Sequence, residues 1–457
     1  MGILEDAGGT VATPRLTAWI ARQRWFANHA PDPRLTVIGS FPLHVPGTEA
    51  RTLLVQDHSP DAHALYQVPL VSRPEHPDAI DLGGSVVVDG PRDRAWAAAL
   101  VALALGGGTA AEDGEASAVG ERLGWIGPPP AVTGARVLSG EQSNTSVIVT
   151  TATDDGGPGP TIIVKVFRAL HHGENPDVVL QSAIAAAGSQ RVPATYGAVL
   201  GEWPDPGRAD GRARGHLAVA QEFLADTEDA WRVALAAARG GLDFAGPARD
   251  LGAATAEVHQ VLAAALPTVP ADPAAKRALL AGMRSRAEQA VRALPSLTTV
   301  ADRIDAVLSA AEADDWPPFQ RIHGDYHLGQ VLSVPGRGWV LLDFEGEPLR
   351  PMAERSEADT PLRDVAGMLR SFDYVAGTLE LEDDDPSGRA WADAARAAFL
   401  DGYAARLGAP LAPHARLLAA LELDKALYEC VYEVRNRPAW LPIPERAVHR
   451  LARRSAS

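Results

Sequence analysis

The sequence predicts an α+β protein, with a small mixed domain first, then a β lobe, then a larger helical lobe. Three observations carry that expectation. Alternating apolar stretches (TLLVQD, HALYQVPL, TIIVKVF, LAVAQEFL) concentrate in the first half, and strand signals nearly vanish beyond Thr227. The Ala/Leu/Arg-rich helical runs that follow are broken by one polar segment, from Gln320 to Pro348. A chain of 457 residues is too long for one core, so domains are expected at 1–91, 92–224 and 225–457.

In chain order, LTAWIARQRWFA reads as a short helix ahead of antiparallel strands, and Arg92 to Leu105 as a second, Ala-rich helix. Gly106 to Ser117 is expected to be a flexible segment, and Gly127 to Ala135 a stiffer Pro-rich connector. From Arg136, VLSGEQSNTSVIVT and TIIVKVF predict two antiparallel strands joined by the turn-rich DDGGPGP. NPDVVLQSAIAAAG predicts a helix, and further strands end at LAVAQEFL.

Composition narrows the function classes. With 46% hydrophobic and 22% charged residues the chain is of globular type. A net charge of -16 opposes extended binding to nucleic acid or anionic lipid, so neither is an expected partner. One cysteine, Cys430, excludes an intrachain disulfide and predicts a reducing, cytoplasmic setting, with the thiol as a small buried hydrophobe. The N-terminus lacks an export signal, and the most apolar run, Ala95 to Leu105, is too short to span a bilayer. The expectation is a monomer that acts on a small molecule.

The strongest chemical signal is QRIHGDYHLGQVL followed by GWVLLDFEGEP. Phosphoryl transfer asks for an oriented acceptor hydroxyl, metal ligands and charge neutralisation. Asp325 in the polar loop suits the catalytic base. Gln330, five positions on, and Asp343, at the end of the apolar strand WVLLD, suit oxygen ligands for Mg²⁺. His323 and His327 resemble a zinc pair in spacing, but Gly324 lies between them and the glutamate of HExxH is missing, so hydrogen bonding within the loop is expected instead. Lys165 in TIIVKVF is the candidate cation for ATP phosphates. Ser139 to Ser146 stands where a glycine-rich loop would, with Ser143, Asn144 and Thr145 as phosphate contacts. Gln221, Glu222, Phe223 and Leu224 fall where a hinge would meet adenine.

These residues resemble the maltokinase-like group that includes actinobacterial glucosamine kinases, within the aminoglycoside phosphotransferases. The resemblance runs through RQRWFA, EQSNTSVI, KVFR, NPD, HGDYHLGQVL, DFEGEP, PLRDVAGMLRSFDY and ELDKALYECVYEVRNRPAWLPIP. It implies a two-lobed protein-kinase-like fold with an N-terminal cap, ATP and Mg²⁺ as cofactors, and a sugar as acceptor. The last helix is the expected sugar site. Tyr428 and Tyr432, and Glu429 and Glu433, recur four apart, followed by Arg437 and Trp440; the alternative is a surface Lys425–Glu429 pair with the tyrosines in the core. His327 and Glu345 are further candidate sugar contacts.

The sequence departs from maltokinases at three points. The helix glutamate expected to pair with the strand lysine is replaced by Val179, with Glu174, Asp177 or Gln181 as substitutes. Tyr326 stands for a leucine, and the region after Trp231 is shorter. The resembled group includes glucosamine kinases, and an acidic pocket suits an ammonium group, so the resemblance implies D-glucosamine phosphorylated on O6 as the expected substrate. Maltose phosphorylated on O1, an antibiotic acceptor, and a non-catalytic nucleotide-binding regulator are the alternatives.

Overall fold

The computed structural model describes residues 10–28, 32–59, 64–112, 116–138, 143–153, 155–347 and 352–454. They divide into two compact units: residues 1–182 with 193–223, and residues 183–192 with 224–457. The chain thus crosses between the units at 182/183, 192/193 and 223/224, and no boundary between units falls at 91/92.

The first unit contains two antiparallel sheets. One runs in the order Thr10–Val11, Leu35–Pro42, Ala50–Asp57, Leu65–Ser72, Val86–Asp89, Ile80–Asp81, and Ala169–Leu170 also pairs with Leu65–Ser72. The other runs Thr109–Ala111, Ser117–Arg122, Thr195–Pro204, Arg212–Glu222, Ile162–Phe167, Asn144–Ala152, Ala131–Val137. A single core joins them, with Phe41, Leu54, Val88 and Trp96 in the same buried cluster as Val149, Val164, Val166 and Val219.

Three expected elements differ. The first helix is only Pro14–Ile20, capped by Thr13, because the chain turns after Ile20 so that Trp25 and Phe26 pack on Tyr66 at 5.7 and 5.2 Å between rings. The segment expected to be flexible after Gly106 contains the strand Thr109–Ala111, paired with Ser117–Arg122. The expected connector to Ala135 already contains the start of Ala131–Val137. In both strands, small residues and glycine carry little of the apolar alternation by which a strand is recognised.

The second helix, Arg94–Gly106, is capped by Asp93, whose carboxylate accepts from Trp96 N–H, and ends at Gly107 with φ 73°. In the second unit the long helices include Ala230–Arg239, Ala245–Ala265, Pro273–Ala293, Leu362–Glu382, Gly388–Leu407, Ala415–Asn436 and Pro442–Arg454. One small sheet interrupts them, Glu228–Asp229, Val331–Val334 and Gly338–Leu341. Leu362–Glu382 is buried along most of its length, and Cys430 is buried as expected, which pushes its thiol up to about 12.

Candidate active site

The polar loop of the second unit is held from below by one carboxylate. Asp364, in the first turn of Leu362–Glu382, accepts from His323 N–H at 2.8 Å through Oδ2 and from Gly324 N–H at 2.9 Å through Oδ1. His259 lies 3.0 Å from Oδ2 and bonds Tyr403 through its other nitrogen. Burial would raise the Asp364 carboxyl, but His259, His323 and the loop N–H hold it below the usual range. Gly324 adopts φ 85°, and a Cβ there would stand 3.1 Å from Gly346 Cα, so only glycine turns the chain here without strain.

This turn presents Asp325. Its Oδ1 lies 3.2 Å from Lys425 Nζ, which is also 2.7 Å from Glu347 Oε1. Burial alone would lower the Lys425 ammonium; the two carboxylates outweigh it and hold it well above its ordinary value. Lys425 belongs to Ala415–Asn436, so the candidate base is tied to the candidate sugar helix. The alternative of a surface Lys425–Glu429 pair is not what forms, since Glu429 is instead bonded to Arg370 Nε and Nη2 at 3.0 and 2.7 Å.

The remaining loop residues are fixed locally. His323 Nε2 bonds Leu342 O at 2.8 Å, and its ring lies 4.5 Å from that of Phe344. His327 Nδ1 accepts from Gly329 N–H at 3.0 Å, and burial lowers its imidazole. Both histidines therefore do the structural work expected of them. Gln330 Nε2 donates to Asp343 Oδ2 at 3.1 Å, which brings together the two candidate metal ligands. Asp343 adopts φ 61° immediately after the strand Gly338–Leu341 and Leu342. Tyr326 is buried and its hydroxyl bonds Thr255 at 2.9 Å, so this departure faces the helical core.

Two residues escaped the sequence reading besides Lys425 and Asp364. Glu347 is one. Arg355 is the other: it lies within electrostatic reach of Glu345, Asp325, Asp343 and Tyr428, and burial lowers its guanidinium. An arginine among these carboxylates fits the charge neutralisation that the loop itself does not supply.

In Ala415–Asn436, Glu433 is buried, accepts from Tyr374 OH at 3.0 Å and pairs with Arg437. Arg437 lies over the Tyr432 and Trp440 rings, at 5.6 and 5.0 Å. Tyr428 carries the Lys425 ammonium at 5.0 Å from its centroid. The two carboxylates are thus each neutralised by an arginine, and Tyr432 is 37% exposed and not in the core.

In the first unit, Lys165 Nζ lies 2.9 Å from Asp177 Oδ2, which identifies Asp177 as the partner where Val179 offers none. Asp177 also accepts from Gln181 Nε2, and Gln181 Oε1 accepts from Gln221 Nε2 at 3.1 Å. Ser146 is the cross-strand neighbour of Lys165, and Asn144 that of Phe167, so both share the lysine's face. Thr145 does not. It pairs with Val166 on the opposite face, is buried, and accepts from Arg168 Nε at 2.9 Å, which corrects its expected phosphate contact. Ser143 is exposed, and residues 139–142 of the expected loop lie outside the described residues. Gln221 and Glu222 are in the ladder opposite Ile163 and Ile162, Phe223 N bonds Thr161 O, and Leu224 begins the longer segment of the second unit.

Residues 19–97 match the maltokinase N-terminal cap domain, and residues 134–420 match the phosphotransferase enzyme family. The chain belongs to that phosphotransferase family. This phosphotransferase is 33% identical over 335 residues to the glucosamine kinase of Streptacidiphilus jiangxiensis, covering 69% of this chain and 72% of the relative. It is 29% identical over 337 residues to that of Mycolicibacterium smegmatis, covering 69% and 79%. A glucosamine kinase structure in complex with glucosamine, ADP and inorganic phosphate aligns with TM-score 0.69 and 26% identity, over 96% of this chain and 99% of the other. A second crystal form aligns with TM-score 0.71 at 25% identity, over 96% and 98%. The fold is the capped, kinase-like phosphotransferase fold, with mixed helix and sheet.

Proposed function

We propose that this phosphotransferase is an ATP-dependent glucosamine kinase, transferring the γ-phosphate of ATP to the 6-hydroxyl of D-glucosamine. The observation that carries the reading is the likeness, over nearly the whole chain, to a structure holding glucosamine and ADP.

In this reading Asp325 is the base. Lys425 occupies Oδ1, and Oδ2 takes the proton of the attacking hydroxyl. The donor set of Gln330 and Asp343, an amide oxygen and a carboxylate held by their mutual hydrogen bond, fits the hard-oxygen preference of Mg²⁺. Bound there, the ion would neutralise phosphate charge. Lys165, kept in place by Asp177, holds ATP phosphates with Asn144 and Ser143, and the backbone at Gln221 to Leu224 meets adenine. Tyr428, Glu429, Tyr432, Glu433, Arg437 and Trp440, with His327 and Glu345, form the sugar site.

The segments 1–91, 92–224 and 225–457 serve as cap, nucleotide-binding β lobe and sugar-binding helical lobe. Among the described residues no helix is long and apolar enough to cross a membrane. With its single buried cysteine, a cytoplasmic location is part of the proposal.

Maltose is the second reading, favoured by the match of residues 19–97 to a maltokinase cap. Incubation with Mg-ATP and a panel of glucosamine, maltose and an aminoglycoside separates the two. Turnover of glucosamine is expected; rapid turnover of maltose with none of glucosamine would overturn it.

A further inference from the structure

An open surface pocket, of about 290 Å³, lies within the first unit and is lined by the exposed His172, Glu174 and Arg214 and by the buried Gly215 and His216 among others. It is separate from every residue assigned above to nucleotide or sugar. Backbone contacts build it: Gly173 N–H donates to Arg214 O at 2.8 Å, and a Cβ on Gly215 would stand 2.2 Å from His171 O. The segment therefore lies tightly against the strand Arg212–Glu222.

The two imidazoles have defined proton positions. His172 Nδ1 accepts from Arg214 N–H at 3.3 Å, and His216 Nδ1 accepts from Asn175 N–H at 3.0 Å. A ring nitrogen that accepts carries no proton, so in the neutral ring the proton sits on Nε2. His216 is only 8% exposed, and burial, with the Arg214 charge behind it, pushes its imidazole down to about 4, so it is neutral near pH 7. Among the described residues, its Nε2 has no hydrogen-bond partner, and the guanidinium of the exposed Arg214 has no ion-pair partner.

This pattern selects the ligand class. A metal would need the Nε2 lone pair, with Nδ1–H donating to an outer acceptor, which is the reverse of what is seen. Two N–H donors and a guanidinium suit a phosphate group, while the Glu174 carboxylate on the same wall repels it and suits hydroxyls or an ammonium. A ligand with both ends satisfies both.

We propose that this cavity binds a sugar monophosphate, with its phosphate on Arg214 and the Nε2–H groups of His172 and His216, and its hydroxyl or amino groups on Glu174. The cavity wall leads by hydrogen bonds to Lys165, the candidate phosphate-binding lysine. His216 holds Asn175 N–H, Asn175 Oδ1 accepts from Asp177 N–H at 2.9 Å, and Asp177 holds Lys165.

Titration of glucosamine 6-phosphate into the full chain, followed by carbon–proton correlation spectra of the histidine rings, tests the site. The rings of His172 and His216 are expected to shift saturably, and inorganic phosphate to bind more weakly. Arg214→Gln should weaken both ligands at least about tenfold, as expected for loss of a charge-assisted contact. Glu174→Gln should weaken the sugar phosphate alone. Shifts confined to His327, which sits beside Asp325, would place the ligand at the candidate active site and overturn the proposal. So would equal affinity for inorganic phosphate, an unchanged Arg214→Gln variant, or rings that respond to zinc and not to phosphate. The readouts are ring shifts and not turnover, so failure of the kinase reading leaves this test intact.

Discussion

Lys425 bonds two carboxylates at once, and its role follows from which of them does chemistry. In the proposed mechanism Asp325 deprotonates and orients the acceptor, so Asp325→Asn is expected to lower kcat by roughly a hundredfold or more. ATP affinity, measured by calorimetry, should barely change, because in that mechanism this residue does not bind nucleotide. Lys425→Met keeps the stem and removes the charge, leaving Asp325 and Glu347 without the ammonium between them. A shift in the base of the order of an ångström costs about a hundredfold in kcat. Lys425→Arg should recover part of that loss, since the charge returns in a different geometry. Equal kcat in wild type and Lys425→Met would remove the lysine from the mechanism.

At the scale of elements, Leu362–Glu382 organises the second unit through two buried acids. Asp364 grips the polar loop at His323 and Gly324, and Asp373, nine positions on, faces Arg370, Arg389, Arg396 and Arg450. Burial would raise the Asp373 carboxyl, but the four arginines hold it well below the carboxylate range. A depressed folded value means the unfolded chain takes up the proton first. The stabilisation is therefore complete at neutral pH and is lost as pH falls below the ordinary carboxylate range toward the lowered value. Asp373→Asn leaves buried guanidinium groups uncompensated and should cost about 3–5 kcal/mol at pH 7. Denaturant titrations at pH 7 and near pH 3 check both points, and the variant should show a smaller drop between the two pH values than wild type.

How much of this was legible depends on sequence distance. Asp325, Gln330 and Asp343 sit within one loop and one hairpin, so their spacing carries the chemistry. Lys425 is 100 positions from Asp325, and Asp364 is 40 from Gly324, so no local pattern announces either contact. An aspartate in the apolar run LRDVAGML was a signal that a buried acid has work to do. The buried position of Thr145 is hidden from the sequence for another reason. Which face of the strand a residue occupies is fixed by register against Ile162–Phe167, and register depends on both strands and their turn.

At the scale of the whole molecule, the first 91 residues do not stand alone. Arg168, fully buried, donates through Nη1 and Nη2 to Asp89, bonds Thr145 through Nε and lies 4.9 Å over the Trp25 ring. Gln67 Nε2 bonds Phe167 O and Leu217 O, and Ala169–Leu170 pairs with Leu65–Ser72. The shared cluster places Phe41, Leu54 and Val88 against the sheet that carries Lys165. Deleting residues 1–91 would expose that apolar surface and strip Arg168 of its carboxylate, a change expected to cost far more than the roughly 5–15 kcal/mol by which domains are stable. The truncated chain should therefore lose its cooperative thermal transition and bind dyes that report exposed apolar surface. It should also lose ATP binding, since Lys165 lies in the adjoining strand Ile162–Phe167. A soluble, cooperatively melting truncation with normal ATP affinity would mean that the cap is dispensable to the β lobe and that the common core contributes little to holding the lysine strand.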